Sequence, residues 1–448
     1  MIIDRTHIKE TLILAFPVML SQRGHIAVGV TDTIMAGSIS ADALAAATVA
    51  LSVFFPLFML YIGFSYGFTP LISQANGEGD PEKIVRIFKH AILINAIVSI
   101  AITAILYTGT YFIPFLHQPE NIVKDAIDFY YIMIFTIIPV AIFQIFKQFI
   151  EGLGFTRQAM VVSVTGNILN IILNIILVKG WWVFPAFGLM GVVYATFIAR
   201  WIMAGMMIVY FFADSEYKIY RLLFNKVAIQ WNHFRPIFLK SYPVGLQMSF
   251  ESGAFSLAAL FIGVFGTHQI AAHQIALNLA SVTYMAASGL AAAATVRVGF
   301  EYGRKDAGQL RRAGISALIL VVALMGAFSV MFMTLNTFLP LVYTNATDVI
   351  EIAAWLLWMT AFFQLSDGIQ VVSMGALRGM GDVIIPSSIA FIAYWVIGLP
   401  VGWLLANTLG WEVYGIWVGL TAGLLFASVV LLLRFLHKSK HPVFDSVI

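Results

Sequence analysis

The chain has 448 residues, of which 60% are hydrophobic and only 10% charged, with a formal net charge of +3 and no cysteine. Soluble domains carry roughly 25% charged residues, so this composition excludes a soluble globular protein, and no nucleic-acid partner is expected. The lack of cysteine excludes a disulfide framework, a thiolate metal site and a cysteine nucleophile.

Apolar blocks long enough to cross a hydrocarbon core of ~30 Å recur from end to end. Their spacing predicts an all-α integral membrane protein with twelve transmembrane helices, approximately 10–36, 44–73, 87–113, 124–148, 157–179, 188–212, 236–264, 270–297, 311–335, 349–375, 384–406 and 412–436. With this topology, 21 of the 25 lysines and arginines fall on one side and only Lys124 and Lys179 on the other, leaving Arg23 and Arg200 within spans. Such asymmetry places both termini in the cytoplasm. The first apolar segment is too long for a signal-peptide core, so we expect it to be retained.

In the first span, Gln22, His25, Gly29 and Asp32 share a helical face. Asp32 lies in the outer third of the membrane, lining a cavity or touching the interface. His25 is a candidate proton acceptor or a hydrogen-bonded structural histidine. Arg23 acts as an internal counter-ion or snorkels towards polar groups. Pro17 precedes this polar stripe and is a candidate hinge. On the fifth span, the run "GNILNIILN" aligns Asn167, Asn170 and Asn174 on one face, suited to a cation, a substrate or helix fastening. Arg200, on the sixth span, has no evident partner. The polar stretch from about 213 to 235 reads as a linker between lobes.

On the seventh span Glu251 lies ~16 Å beyond Lys240, and on the tenth Asp367 lies ~16 Å from Arg378, so both sit near the midplane. Gln247 shares the face of Glu251, and Gln364 that of Asp367. Gln274, Asn278 and Ser281 share a face of the eighth span. Ionisable groups at such depth are costly and are functional candidates by default. Two carboxylates and an amide oxygen suit a hard cation such as Na+, or proton exchange. Interhelical hydrogen bonding is the plain alternative.

The chain also repeats itself. "FPVML" at 16 resembles "YPVGL" at 242, "LAAATVALS" at 44 resembles "IAAHQIALN" at 270, and "GEGD" at 77 resembles "GRKD" at 303, all at one constant interval. "GLG" at 152 and "GMG" at 379 keep almost the same interval. Two six-helix, pseudo-symmetric lobes follow: 1–212, then the linker 213–235, then 236–448. Repeats of this kind are a transporter signature, with binding near the midplane. There is no GxxxxGK[ST] loop for ATP and no HExxH, and no nucleophile–base set that would make an enzyme. Energy must then come from an ion gradient or from the substrate's own gradient.

Together "VTDTIMAG", "EGLGFTR", "NIILN", "AAHQIALN" and "GALRGMGD" resemble the MATE family of multidrug and toxic compound extrusion transporters, particularly its NorM-like branch, over about residues 10–436. The resemblance implies two six-helix lobes, V-shaped in the outward state, and export of organic, often cationic, compounds driven by Na+ or H+ influx. It implies a monomer in the cell inner membrane with no cofactor beyond the coupling ion. It also matches Asp32 to the amino-lobe aspartate, Asn170 and Asn174 to the amides facing it, Glu251 and Asp367 to the cation-linked acids, and Asn278 to a nearby amide. Phe363 departs from the tyrosine usual four residues before the tenth-span aspartate, and Arg23 and His25 replace uncharged residues. Competing possibilities are a lipid-linked saccharide flippase, an exporter of another specific metabolite, a channel, and a non-transporting scaffold or receptor.

Overall fold

The computed structural model describes residues 5–116, 119–181 and 185–444, apart from the side chains of residues 23, 25–27, 116, 120 and 121. The roles expected of Arg23 and His25 therefore lie outside the described residues.

Twelve long helices account for nearly all of the described chain. They are α1 Arg5–Ile39, α2 Ala41–Glu78, α3 Pro81–Gly109, α4 Ile122–Gly152, α5 Thr156–Lys179 and α6 Leu189–Ala213, then α7 Phe234–Gly263, α8 Thr267–Gly303, α9 Ala307–Thr334, α10 Thr347–Gly379, α11 Ile384–Thr408 and α12 Glu412–Lys438. Over the described residues, ten of them combine the length and apolarity needed to cross a membrane. The other two, α1 and α7, have 35 and 30 residues, about 45 Å or more of helix at 1.5 Å per residue. They are the first helices of the two repeats, and they carry Asp32 and Glu251. Large apolar side chains such as Phe16, Ile100, Leu260 and Trp355 stand on the outside, which lipid accommodates and water would not.

The repeat is written into the helix ends. α2 and α8 start at Ala41 and Thr267, and α3 and α9 at Pro81 and Ala307, each pair separated by the interval seen in the sequence repeats. The side chains of Asp80 and Asp306 accept from the backbone N–H of Lys83 and Gln309, both at 3.0 Å. Each satisfies one of the donors that a helix start leaves unpaired. Just before them the chain turns through the left-handed region, at Gly79 (φ 70°) and at Lys305 (φ 59°). Gly154 and Gly381, within the two matching glycine motifs, make the equivalent later turns at φ 92° and 74°.

The chain forms two compact units, one of Met1–Met19 with Leu246–Val447 and one of Leu20–Gly245. α1 therefore passes from one unit to the other two residues after Pro17, and α7 does so two residues after Pro243. The division at 1–212 and 236–448 follows the repeat, whereas the compact units follow the contacts, and the two differ in the first part of each of these helices. In the unit that contains the start of α1, the buried Arg297 of α8 holds that start in place. Its guanidinium donates to the His7 carbonyl at 2.6 Å and to the Thr11 hydroxyl at 2.7 Å, pairs with Glu10 at 2.5 Å, and lies 2.6 Å from His7 Nδ1. His7 Nε2 in turn meets Gln309 Oε1 at 2.7 Å. Farther along α8, Gly289 is required because a Cβ there would lie 2.9 Å from the Met19 backbone nitrogen and 3.1 Å from the Ala15 carbonyl.

In the second unit, Tyr61 donates to Asn95 Oδ1 at 2.8 Å, and Asn95 donates to the Ala141 carbonyl at 2.9 Å, joining α2, α3 and α4. The connecting segment before α7 is folded. It contains a short helix, Lys218–Phe224, and Lys89 of α3 donates to the carbonyls of Phe224 and Val227 at 2.7 and 2.8 Å.

Candidate functional site

Acidic side chains organise two polar clusters, one in each compact unit. The first is built on α1, α5 and α6. Asn167, Asn170 and Asn174 occupy one face of α5 because residues three and four apart align on a helix, and all three are buried. Asn174 Nδ2 donates to Asp32 Oδ1 at 2.8 Å and to Asn170 Oδ1 at 3.1 Å. Thr196 of α6 accepts from Asn170 Nδ2 at 3.1 Å and donates to Asp32 Oδ2 at 3.3 Å. Both carboxylate oxygens are thus held by neutral donors. α1 and α5 approach closely at Gly24, where a Cβ would collide with the Asn167 amide. Arg200, one turn beyond Thr196, donates to the Thr136 hydroxyl and lies over the Phe58 ring at 5.1 Å. Its charge acts favourably on Asp32. The Asn174 carbonyl oxygen is buried and has no hydrogen-bond partner among the described residues.

The second cluster is built on α7, α10 and α11. Gln247 Nε2 donates to Glu251 Oε1 across one turn of α7 at 3.1 Å, and Gln370 Nε2 of α10 reaches the same oxygen at 3.4 Å. Asp367, one turn before Gln370, is buried and feels the negative charge of Glu251. Arg378 contributes a favourable charge to Glu251 from farther along α10. Gln364 donates to the Thr283 hydroxyl of α8 at 2.6 Å, while its carbonyl oxygen, one turn from Asp367, is buried without a partner among the described residues. Glu251, Asp367 and the Gln364 amide oxygen are oxygen donors of the kind that hard cations prefer. They equally suit a shared proton. Among the described residues there is no group of three or more His, Asp or Glu that would hold a transition metal.

Asn170 and Asn174 join Asp32, and Glu251 shares a cluster with Asp367, as the sequence suggests. Others stand apart. Asn278 is exposed and accepts from the Tyr343 hydroxyl at 3.2 Å, bonding to neither acid. Gln274 is exposed on the same face. Gln22 is half-buried and makes no hydrogen bond to the Asp32 cluster among the described residues. Phe363 is buried between Phe255 and Trp417, with ring centroids 6.2 and 5.6 Å away, as an apolar packing residue. Pro17 sits within a continuous helix.

Sequence reasoning misses Thr196, Gln370 and Tyr394. Gln370 had a usable signal, since it lies three residues after Asp367 and hence on its face. Thr196 precedes Arg200 by one turn, so the otherwise unexplained arginine also marks its face. Nothing in the spacing points to Tyr394.

A family model described as MatE matches residues 17–176 and 243–404, two segments whose starts, at Pro17 and Pro243, keep the interval of the sequence repeats. The chain is 34% identical over 437 residues to the multidrug resistance protein NorM of Photobacterium profundum, covering 96% of this chain and 95% of that protein. It is 32% identical to the multidrug resistance protein MdtK of Yersinia enterocolitica, covering 97% of this chain and 96% of the relative. Among solved structures, the eukaryotic MATE transporter AtDTX14 matches with a TM-score of 0.86 at 19% identity, over 97% of this chain and 98% of that one. An outward-facing multidrug resistance MATE family transporter matches with a TM-score of 0.85 at 19% identity, over 97% and 96%.

Proposed function

Because the chain belongs to the MATE family of membrane transporters, we propose that it is an antiporter that exports small organic cations in exchange for inward-moving Na+ or H+. The observation that carries this proposal is the pairing of half-buried Glu251 with buried Asp367 through the α7 and α10 faces that Gln370 links, beside the Gln364 amide oxygen that has no partner among the described residues. A buried charge without compensation is expensive, and a cation or proton taken up here relieves that cost. The pair is therefore an uptake site for the coupling ion, with Gln247 and Gln370 orienting Glu251.

Asp32 has a different role. Its carboxylate is held by neutral donors, and the Asn174 oxygen beside it is an acceptor that no described residue uses, so together they fit an organic ammonium group. Arg200 moderates the negative charge and keeps the site from binding small cations indiscriminately. Coupling follows if the two ligands favour different conformations, because each then alters the affinity for the other. Pro17 and Pro243, each two residues before a change of compact unit, are the natural hinges. The multidrug resistance names of the relatives support varied organic substrates. Both termini are assigned to the cytoplasm, the protein to the inner membrane as a monomer, and the lobes to 1–212 and 236–448.

The test is export of a fluorescent organic cation from proteoliposomes under a Na+ gradient or a pH gradient imposed separately. One of the two should accelerate export in the native protein and fail to do so in Asp367→Asn and Glu251→Gln. Equal acceleration in both variants would remove the coupling role from the pair.

A further inference from the structure

The middle of α11 is not an ordinary α-helix. Residues Ile392–Gly398 form a π-helical stretch, seven residues long. Such stretches are rare and occur often at functional sites, because the wider turn re-aims side chains. Here two consecutive side chains are turned towards α7 and α10. Trp395 donates to the Phe250 carbonyl at 3.0 Å, the residue before Glu251. Tyr394, 2% exposed, meets the Gln370 amide, with its oxygen 3.1 Å from Nε2 and 3.5 Å from Oε1. Glycines make room for the wider turn against α12. A Cβ at Gly402 would lie 3.1 Å from the Ile416 carbonyl oxygen, and one at Gly423 would collide with the Ala393 carbonyl. The stretch is thus built into the packing.

The chemistry of the three side chains explains the arrangement. A carboxylate accepts only, a phenol both donates and accepts, and a primary amide presents donors on one atom and an acceptor on the other. When Glu251 is ionised and without a cation, the Gln370 amide offers it Nε2, as seen at 3.4 Å. When a proton sits on that same carboxylate oxygen, or a cation lodges between it and the amide, the amide can offer Oε1 instead. Tyr394 satisfies Gln370 in either orientation, accepting from Nε2 in one and donating to Oε1 in the other. A phenylalanine at 394 would satisfy neither. Tyr394 also brings a phenol into the aromatic cluster where the family resemblance places one at 363. Phe255 touches both rings, at 6.2 Å from Phe363 and 5.8 Å from Tyr394.

We propose that Tyr394, aimed by the π-helical stretch, is a positioning residue that lets the Gln370 amide reverse as Glu251 gains and loses its coupling ion, and so tunes which cation the acid pair accepts. This rests on Glu251 and Asp367 being the coupling site.

The experiment measures export from proteoliposomes as a function of Na+ concentration and, separately, of pH, for the native chain, Tyr394→Phe, Gln370→Leu, the double variant and Glu251→Gln. Binding of the fluorescent cation and monodispersity are measured alongside. Tyr394→Phe should shift the half-saturating concentration of the driving ion about tenfold, which corresponds to about 1.4 kcal/mol, while substrate binding stays within twofold. Gln370→Leu should shift it similarly, and the double variant no further than either single, since the two act as one unit. An unchanged ion dependence in Tyr394→Phe, or fully additive shifts, would overturn the proposal while leaving the coupling site intact if Glu251→Gln still loses ion dependence. If Glu251→Gln itself keeps native ion dependence, the coupling site and this proposal both fall. Should Tyr394→Phe not yield monodisperse protein, Gln370→Leu and Gln370→Glu decide: neither shifting the ion dependence contradicts the relay.

Discussion

The two repeats share a scaffold and differ in where they keep their acids. Asp32 of the first repeat has Ala258 at the corresponding position of the second, by the interval that relates Pro17 to Pro243. Asp367 of the second has Val140 of the first, by the interval that relates Gly381 to Gly154. Both counterparts are apolar and buried in packing. The Asp32 cluster is a single carboxylate held by amide and hydroxyl donors, with an arginine nearby. The Glu251 cluster has two carboxylates, amide donors to one of them, and an amide oxygen with no partner among the described residues. In the proposed exchange, the first holds the organic cation and the second the coupling ion. A symmetric fold thus carries two unlike sites, as exchange of two unlike ligands requires.

Several substitutions would break or sharpen this contrast. The largest effect is expected from Asp367→Asn, which removes one of the two opposed charges. Ion-driven export should fall by tenfold or more while binding of the fluorescent cation to the detergent-solubilised protein persists. The corresponding change in the first cluster, Asp32→Asn, should instead weaken that binding and leave ion uptake in place.

Next is Arg297→Ala. Arg297 has Leu71 as its first-repeat counterpart, which has no polar group to make the equivalent clamp on α7. Losing the guanidinium removes two buried hydrogen bonds, to the His7 carbonyl and the Thr11 hydroxyl, at a cost on the order of 2 kcal/mol. Chemical denaturation in detergent should show this, and Leu71→Ala should not disturb α1. Thr196→Val keeps the shape of α6 but removes one donor to Asp32, and should weaken organic-cation binding several-fold, roughly 1 kcal/mol. Smallest is Lys305→Gly. Lys305 adopts the left-handed conformation that Gly79 adopts in the first repeat, and glycine there should stabilise the protein by about 1 kcal/mol.

The fold was largely legible because apolar periodicity and charge asymmetry are local, additive signals. Twelve spans emerge from them, and the interval of the sequence repeats recurs in the helix starts and caps. Span ends were less legible. α8 runs over Thr267–Gly303 where the apolar run suggests 270–297, because helices continue past the hydrocarbon into polar ends. In the site, Asn170 and Asn174 were readable from their spacing on one helix. Asn278 shows the limit of that reasoning, since spacing gives a shared face and not the direction it points. Thr196, Gln370 and Tyr394 act across helices, and such contacts leave no periodic trace. The π-helical stretch is harder still, because one widened turn shifts every later side chain around the helix without a distinctive residue to announce it.

The central claim is that the acid pair, and not Asp32, takes up the coupling ion. The most direct test compares Asp367→Asn with Asp32→Asn in the same proteoliposomes, measuring ion uptake driven by an outward gradient of the organic cation. The account predicts that Asp367→Asn abolishes this exchange-driven uptake even when the organic cation is saturating, and that Asp32→Asn restores it once the organic cation is raised about tenfold. Uptake that survives in Asp367→Asn, and that no organic-cation concentration restores in Asp32→Asn, would contradict it and move the coupling site to the first repeat.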